Sequence, residues 1–146
     1  QQNLLIEIEI GIKNIHQTVT KMRKVQKQLS NYREILKDNF SYETLLKKAE
    51  GIEQKLKDWE QNLIQPKQKT FQDVINFNNK LNAQWMYLKD FVDSEHPKVT
   101  QGAIKRHKDL QNEWSIQRTS LENIIEIDFK SFENEFKSAK VPALVF

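Results

Sequence analysis

The chain has 146 residues, no cysteine, three glycines, three prolines and a net charge of +3 at pH 7. This length suits one domain with one core, and the lack of cysteine excludes disulfides and thiolate metal sites. The 23 basic and 20 acidic residues are interleaved, as on solvated helix faces, so a nucleic-acid-binding stripe is not expected. No window approaches a run of roughly 18 uncharged apolar residues, so a membrane-spanning segment is not expected either.

The first predicted helix covers residues 3–37. Apolar residues recur there every three or four positions from Leu5 to Leu36, with one three-residue irregularity near Met22, which is a heptad pattern. The opening "QQNLLIEIEIGIK" has acids inside its apolar run and no Met. We therefore do not expect a signal peptide here, and we expect the chain to be a piece cut from a longer one.

The second predicted helix covers residues 42–64, with Ser41 as its N-cap. Its apolar positions repeat without error and share one face: Tyr42, Leu45, Ala49, Ile52, Leu56, Trp59 and Leu63. The short connection predicts an antiparallel hairpin with the first helix. Pro66 cannot continue the helix, so the hairpin ends there.

Residues 65–78 interrupt this rhythm and predict a shaped corner between helices. Thr70 caps a short helical turn in which Asp73 is the capping partner. Asn78 caps a third helix at residues 79–92. The polar side chains of the corner are expected to satisfy free backbone groups at the adjoining helix ends.

The fourth predicted helix covers residues 97–138, starting near His96 with Pro97 in its first turn. Its apolar face is interrupted at His107 and Gln117 and comprises Val99, Ala103, Leu110, Trp114, Leu121, Ile124, Phe132 and Phe136. The segment "KVPALVF" then either folds back or forms an extended strand that meets another domain. The expected fold is all-α: an elongated up-down bundle of about four helices, with long first and last helices.

The histidines do not form a recognisable metal or catalytic motif. The chain contains no Glu-x-x-His pair and no HExxH motif. We expect His16 at a helix edge, His96 at a helix start and His107 half-buried, in packing or capping roles, because no nucleophile adjoins them. The sequence therefore predicts no catalytic, cofactor-binding or metal-ligating residue.

Carboxylates and glycines are also interpreted structurally. Glu7 and Glu9 lie on different sides of a helix, whereas Glu122 and Glu126 lie one turn apart on an exposed face. Since straight helices rarely build a sugar cleft, solvated surface explains these carboxylates better than glycoside hydrolysis. Three glycines are each expected to permit a close helix crossing: Gly11, Gly51 and Gly102.

Trp59, Trp85 and Trp114 fall on the apolar faces of three predicted helices. They either fill the core or form a stacking platform for a sugar, and we favour the core. Buried indoles need a partner for the N–H group. The expected partners are the amides of the corner and of the helix that follows it: Gln65, Gln68, Asn76 and Asn82.

The run "QPKQKTFQDVINF", its continuation to Trp114 and the later "VPALVF" carry a family resemblance. They resemble the C-terminal helical region of large exported bacterial proteins with sortilin-like, Asp-box (BNR-repeat) β-propellers, usually labelled as glycosyl hydrolases. The likeness is strongest from Trp59 to Trp114 and weaker over the first helix. One departure is Asn78, where the family pattern prefers proline.

This resemblance implies that any catalytic or ligand-binding residues belong to the propeller and that none lies in this chain. It also implies export, to the periplasm, the cell surface or the medium, and an intramolecular propeller partner, with protein or glycan as further candidates. The chain would then be a non-catalytic accessory or scaffold domain. Two alternatives stay open: an extracellular ligand-sensing four-helix bundle, and a coiled-coil protein-interaction module.

Overall fold

A computed structural model of the chain describes residues 2–64, 80–94 and 100–146. The all-α prediction is confirmed: within these ranges four helices pack as a bundle, the first and last are long, and no strand is present. The predicted corner at residues 65–78, and the roles assigned to His96 and Pro97, lie outside the described residues.

Helix α1, Gln2–Leu36, matches the first predicted helix. Its fully buried side chains lie on the predicted heptad face: Ile8, Ile15, Val19, Leu29 and Leu36. The remaining positions of that face, among them Val25 and Tyr32, are half-buried. The apolar spacing therefore determines which side of α1 packs.

The turn after α1 corrects the predicted cap. Asn39, and not Ser41, caps a 3₁₀ turn at Phe40–Tyr42, because its side-chain oxygen accepts a hydrogen bond from the Ser41 amide. Helix α2 follows at Glu43–Gln61. Its buried residues are those of the predicted face: Leu45, Ala49, Ile52, Leu56 and Trp59.

Helix α3, Leu81–Val92, is tied to the chain beyond α2, since the Asn82 amide donates to the Leu63 carbonyl at 3.1 Å. Helix α4, Gln101–Asn123, begins later than predicted. Its start is fixed by Thr100, whose Oγ1 accepts a hydrogen bond from the Ala103 amide at 3.0 Å, as an N-cap does.

The last helix contains a π-helical segment, Ile124–Phe129, before it resumes as α5, Lys130–Ala139. The α5 helix ends at Lys140, which has left-handed backbone angles (φ 51°). Beyond it, Val141–Phe146 does not fold back on the bundle: Leu144 is 81% exposed and Phe146 is fully exposed.

The chain forms two compact units, each with its own core. The first unit comprises Gln1–Thr20 and Glu60–Arg118, and the second comprises Lys21–Trp59 and Thr119–Phe146. Trp85 and Leu110 lie in the core of the first unit, and Leu45 and Leu56 in that of the second.

Candidate functional site

The first unit contains a buried polar contact between α3 and α4. The indole N–H of Trp85 donates to Nδ1 of His107 at 3.1 Å, and the side chains are 1% and 3% exposed. Because Nδ1 accepts this bond, the neutral imidazole carries its proton on Nε2. The prediction of a half-buried His107 was therefore wrong, and the residue is part of the core.

On its other side, His107 faces α1. Its Nε2 lies 3.4 Å from Oε2 of Glu7 without hydrogen-bond geometry, and this contact is an ion pair only when the ring is protonated. Burial lowers the pKa of His107 below its ordinary value of about 6.5, and the Glu7 carboxylate opposes that shift in part. The neutral ring is thus the form that fits this core.

Trp85 also explains Gly11. A Cβ atom at this glycine would lie 2.5 Å from Cζ2 of the indole, closer than such atoms ever approach. The expectation of a close crossing is confirmed for Gly11. It is wrong for Gly51 and Gly102 as far as the described residues extend: an added Cβ atom would meet nothing within 4 Å at Gly51, and at Gly102 it would meet the Thr100 hydroxyl at 3.7 Å.

The three tryptophans belong to the core, as predicted, because each is less than 5% exposed and offers no ring face for a sugar. Their predicted hydrogen-bond partners are corrected where the structure describes them. His107, and not a corner amide, accepts from Trp85. Within the described residues, Trp114 Nε1 and the buried side chain of Asn82 have no hydrogen-bond partner.

The carboxylates of the sequence analysis do not assemble a reaction centre. Glu9 lies 3.9 Å from Lys89, and Glu122 and Glu126 are exposed. In the described ranges, no group of three or more His, Asp or Glu side chains is placed to hold a metal ion. Nor is any helix of those ranges both long and apolar enough to cross a membrane.

The second unit contains an open cavity of about 380 Å³ between α1 and α5, which we call the aromatic cleft. Seven of its ten lining residues are apolar or aromatic, and the polar ones are Gln28, Glu133 and Lys137. The apolar lining comprises Val25, Leu29, Tyr32, Ile52, Phe129, Phe132 and Phe136. A space of this size and composition is typical of binding sites.

Three of these rings pack together along one side of the cleft. Tyr32 meets Phe136 edge-on with ring centroids 5.1 Å apart, and lies 6.2 Å from Phe132. Phe132 and Phe136 are 6.0 Å apart on successive turns of α5. Such tilted and edge-to-face pairs are the arrangements that aromatic rings prefer, so the three rings form one contiguous wall of the cleft.

Ion pairs with α2 hold the helices that form the cleft. Arg33 on α1 makes a two-pronged contact with Glu53. The Lys55 ammonium lies 2.9 Å from Asp128 in the π-helical segment. The α1 and α5 sides of the cleft are therefore both tied to the same supporting helix.

The cleft was missed from the sequence. Phe132 and Phe136 were predicted to lie on the buried face of the last helix, yet no residue from Ile124 to Ala139 is fully buried. Phe129 joins them from the π-helical segment, a feature often found at functional sites. One available signal was the crowding of apolar residues at Ile125, Ile127 and Phe129, which departs from the three-to-four spacing of an α-helix.

Comparison with known proteins adds no assignment. No protein-family model, no curated protein and no solved structure matches the chain.

Proposed function

We propose that this chain is a non-catalytic helical accessory domain that acts by binding, and that the aromatic cleft is its contact surface. The observation that carries the proposal is the half-covered face of α5. Phe129, Phe132 and Phe136 line a cavity of about 380 Å³ and none of them is fully buried.

Exposed aromatic area favours a partner on physical grounds. Each large apolar side chain gains roughly 1.5–3 kcal/mol on full burial, and part of that gain is still unrealised in the cleft. Gln28, Glu133 and Lys137 supply polar groups at the rim. This combination of an apolar floor with few polar groups provides both affinity and orientation.

The family resemblance supports placing this domain in an exported β-propeller protein, where it would pack on the propeller or space it. Any glycosyl hydrolase activity, and any contact with a glycan, would then belong to the propeller. The described residues of this chain fit that division between the two domains. The buried His107, for example, is used in a core contact with Trp85.

Displacement of a naphthalene sulfonate dye tests the proposal. The dye should fluoresce on binding the cleft, and the propeller portion of the parent chain should displace it. Gln28→Trp, which fills the cleft from an exposed position, should abolish dye binding. Phe40→Ser is the matched control, since Phe40 is 84% exposed outside the cleft.

Two results would overturn this assignment. One is dye binding that survives Gln28→Trp unchanged, which would place the binding surface elsewhere. The other is equal loss in the Phe40→Ser control, which would show that the dye reports surface apolarity in general.

A ligand-sensing bundle is the second candidate, because the cleft volume lies inside the range of small-molecule sites, about 300–1,000 Å³. A thermal-shift screen with small organic compounds distinguishes the two. If a compound stabilises the wild-type chain and Gln28→Trp cancels that stabilisation, the result favours sensing.

The complete parent sequence is a further discriminator. An upstream propeller favours the accessory domain, flanking membrane spans favour the sensor, and tandem helical copies favour the coiled-coil module.

A further inference from the structure

We infer that a small cavity in the first unit, which we call the charged cavity, binds a free dipeptide as a zwitterion. Such a ligand has an ammonium group at one end and a carboxylate at the other. The cavity has a volume of about 170 Å³ and is lined by residues of α1, α3 and α4. The aromatic cleft belongs to the second unit, so this inference concerns another site and goes beyond the proposed function.

The charged cavity lies at a position where α1 has no side chain. Gly11 lines it together with the buried indoles of Trp85 and Trp114. Its volume of about 170 Å³ equals about six water molecules in the liquid, at roughly 30 Å³ each. Pockets for drug-sized ligands have roughly 300–1,000 Å³. The occupant is therefore a small molecule.

Two groups of opposite charge line the charged cavity. The guanidinium of Arg118 lies over the ring of Trp114, 5.8 Å from its centroid, which is a cation–π contact and not an ion pair. The carboxylate of Glu7 adjoins Nε2 of His107 without hydrogen-bond geometry. Both charged groups can therefore bind a ligand of opposite charge, Arg118 through its fork of N–H donors and Glu7 through its two oxygens.

The separation of these charges indicates the length of the ligand. The Glu7 carboxylate lies beside His107, and the guanidinium lies over Trp114, seven residues further along α4. Seven residues correspond to about 10 Å along a helix axis. Two charge-assisted hydrogen bonds of about 2.8 Å each leave roughly 5 Å between the charged ends of the ligand. The ends of an α-amino acid are only about 2.5 Å apart, whereas a dipeptide spans up to about 7 Å.

Two side-chain amides at the charged cavity fit the middle of a dipeptide. Asn14 on α1 and Gln111 on α4 both line the cavity, and each offers two N–H donors and one carbonyl acceptor. The peptide group of the ligand presents one N–H and one C=O. The cavity therefore suits a dipeptide better than an ω-amino acid of the same length, which lacks the peptide group.

Isothermal titration of the chain with four related compounds tests the inference. Glycylglycine should bind saturably. N-acetylglycylglycine lacks the ammonium group and glycylglycinamide lacks the carboxylate, so each should bind at least tenfold more weakly. The ω-amino acid 5-aminopentanoate has the same length as glycylglycine without the peptide group, and it should bind more weakly than glycylglycine.

Substitutions at the two charged groups identify which end of the ligand each one binds. Glu7→Gln and Arg118→Gln should each raise the Kd of glycylglycine at least tenfold. Glu7→Gln should not weaken N-acetylglycylglycine further, and Arg118→Gln should not weaken glycylglycinamide further. The matched controls are Glu113→Gln and Lys108→Gln, which remove the same charges from exposed positions of α4 outside the cavity. They should leave the Kd unchanged.

NMR spectra of the three indole N–H groups then locate the bound ligand. Trp85 and Trp114 line the charged cavity, whereas Trp59 belongs to the second unit. Glycylglycine should therefore shift the first two signals and leave that of Trp59 in place. Single Trp→Phe variants assign the three signals.

Three results would overturn the inference: a glycylglycine titration that does not saturate, a Kd that Glu7→Gln and Arg118→Gln both leave unchanged, or signal shifts confined to Trp59. Equal binding of 5-aminopentanoate and glycylglycine would overturn the dipeptide as the ligand, because the peptide group would then contribute nothing. Circular dichroism shows that each variant is folded. The dye assay of the aromatic cleft is independent of all these results, so the proposed function can fail or stand separately.

Discussion

The indole ring of Trp85 on α3 lies against Gly11 on α1, at a position where α1 has no side chain to separate its backbone from the ring. Three indole carbons, Cζ2, Cη2 and Cε2, would lie within 2.9 Å of a Cβ atom at Gly11. Both partners lie in the first unit and both are buried. The contact is possible only with glycine at position 11, which makes it the most directly testable part of the core.

Gly11→Ala should lower the free energy of unfolding by about 1–3 kcal/mol, the usual cost of overpacking a core. The new methyl group meets a rigid, buried ring, which cannot move aside as a flexible chain end would. Gly51→Ala is the control. A methyl group at position 51 would enter open space, and this change should stabilise the helix by roughly 0.5–1 kcal/mol. Urea unfolding of both variants decides the matter, and equal stabilisation by the two alanines would rule out the close contact.

Stability should depend on the protonation of His107. Its pKa is lowered in the folded chain, so the unfolded chain binds more protons as the pH falls below about 6.5. The stabilising contribution is therefore complete above that pH and is lost on acidification, at no more than about 1.4 kcal/mol per pH unit.

Urea unfolding between pH 5 and 7.5, followed by tryptophan fluorescence, measures this dependence. His107→Gln keeps a hydrogen-bond acceptor for Trp85 but does not titrate, so its profile should be flatter. Glu7→Gln removes the carboxylate that opposes the shift, so the loss of stability should extend to lower pH. Identical profiles for wild type and His107→Gln would contradict the assignment.

The two indole N–H groups of the first unit should differ in energetic importance. Trp85→Phe leaves the buried Nδ1 of His107 without its donor, at a cost of about 1–3 kcal/mol beyond the lost ring area. Trp114→Phe removes an N–H group that has no partner in the described chain, so this added penalty is absent. Equal destabilisation of the two variants, measured by denaturant unfolding, would show that the hydrogen bond contributes nothing.

The Arg33–Glu53 contact should stabilise the second unit more than an exposed pair does. Glu53 is only 18% exposed and meets the guanidinium through both oxygens. Glu53→Gln should cost about 1 kcal/mol, and less at high salt because the pair is only partly buried. Glu34→Gln breaks the exposed pair with Lys37 and should leave the unfolding midpoint unchanged. Two results would count against the contact: a loss of stability in Glu53→Gln that does not depend on salt, or equal losses in Glu53→Gln and Glu34→Gln.

Apolar spacing predicted the helices and most of the core. Leu45, Leu56 and Trp85 are buried because their heptad positions place them on one helix face. Helix caps were harder to predict from the sequence. Both Asn39 and Ser41 are residue types that can cap, and the 3₁₀ turn in the structure shows that Asn39 is the cap. Such choices depend on backbone geometry that a residue pattern does not specify.

Long-range contacts were not predictable. The partner of Trp85 is His107, 22 residues away on another helix, and spacing within one helix carries no information about that pairing. The aromatic cleft was missed for a similar reason. Phe132 and Phe136 look like core residues by period, and only the packing of three helices shows that they remain half-covered.

The π-helical segment Ile124–Phe129 has a consequence for changes in chain length. Its wider turns hold about one residue more than an α-helix would over the same distance. Loss of one residue elsewhere in the helix rotates everything beyond it by about 100°, which would carry Phe132 and Phe136 away from Tyr32. Loss of Glu126 should instead convert the segment to regular α-helix and leave those rings facing the cleft. The last helix thus contains a built-in position where a deletion can be absorbed.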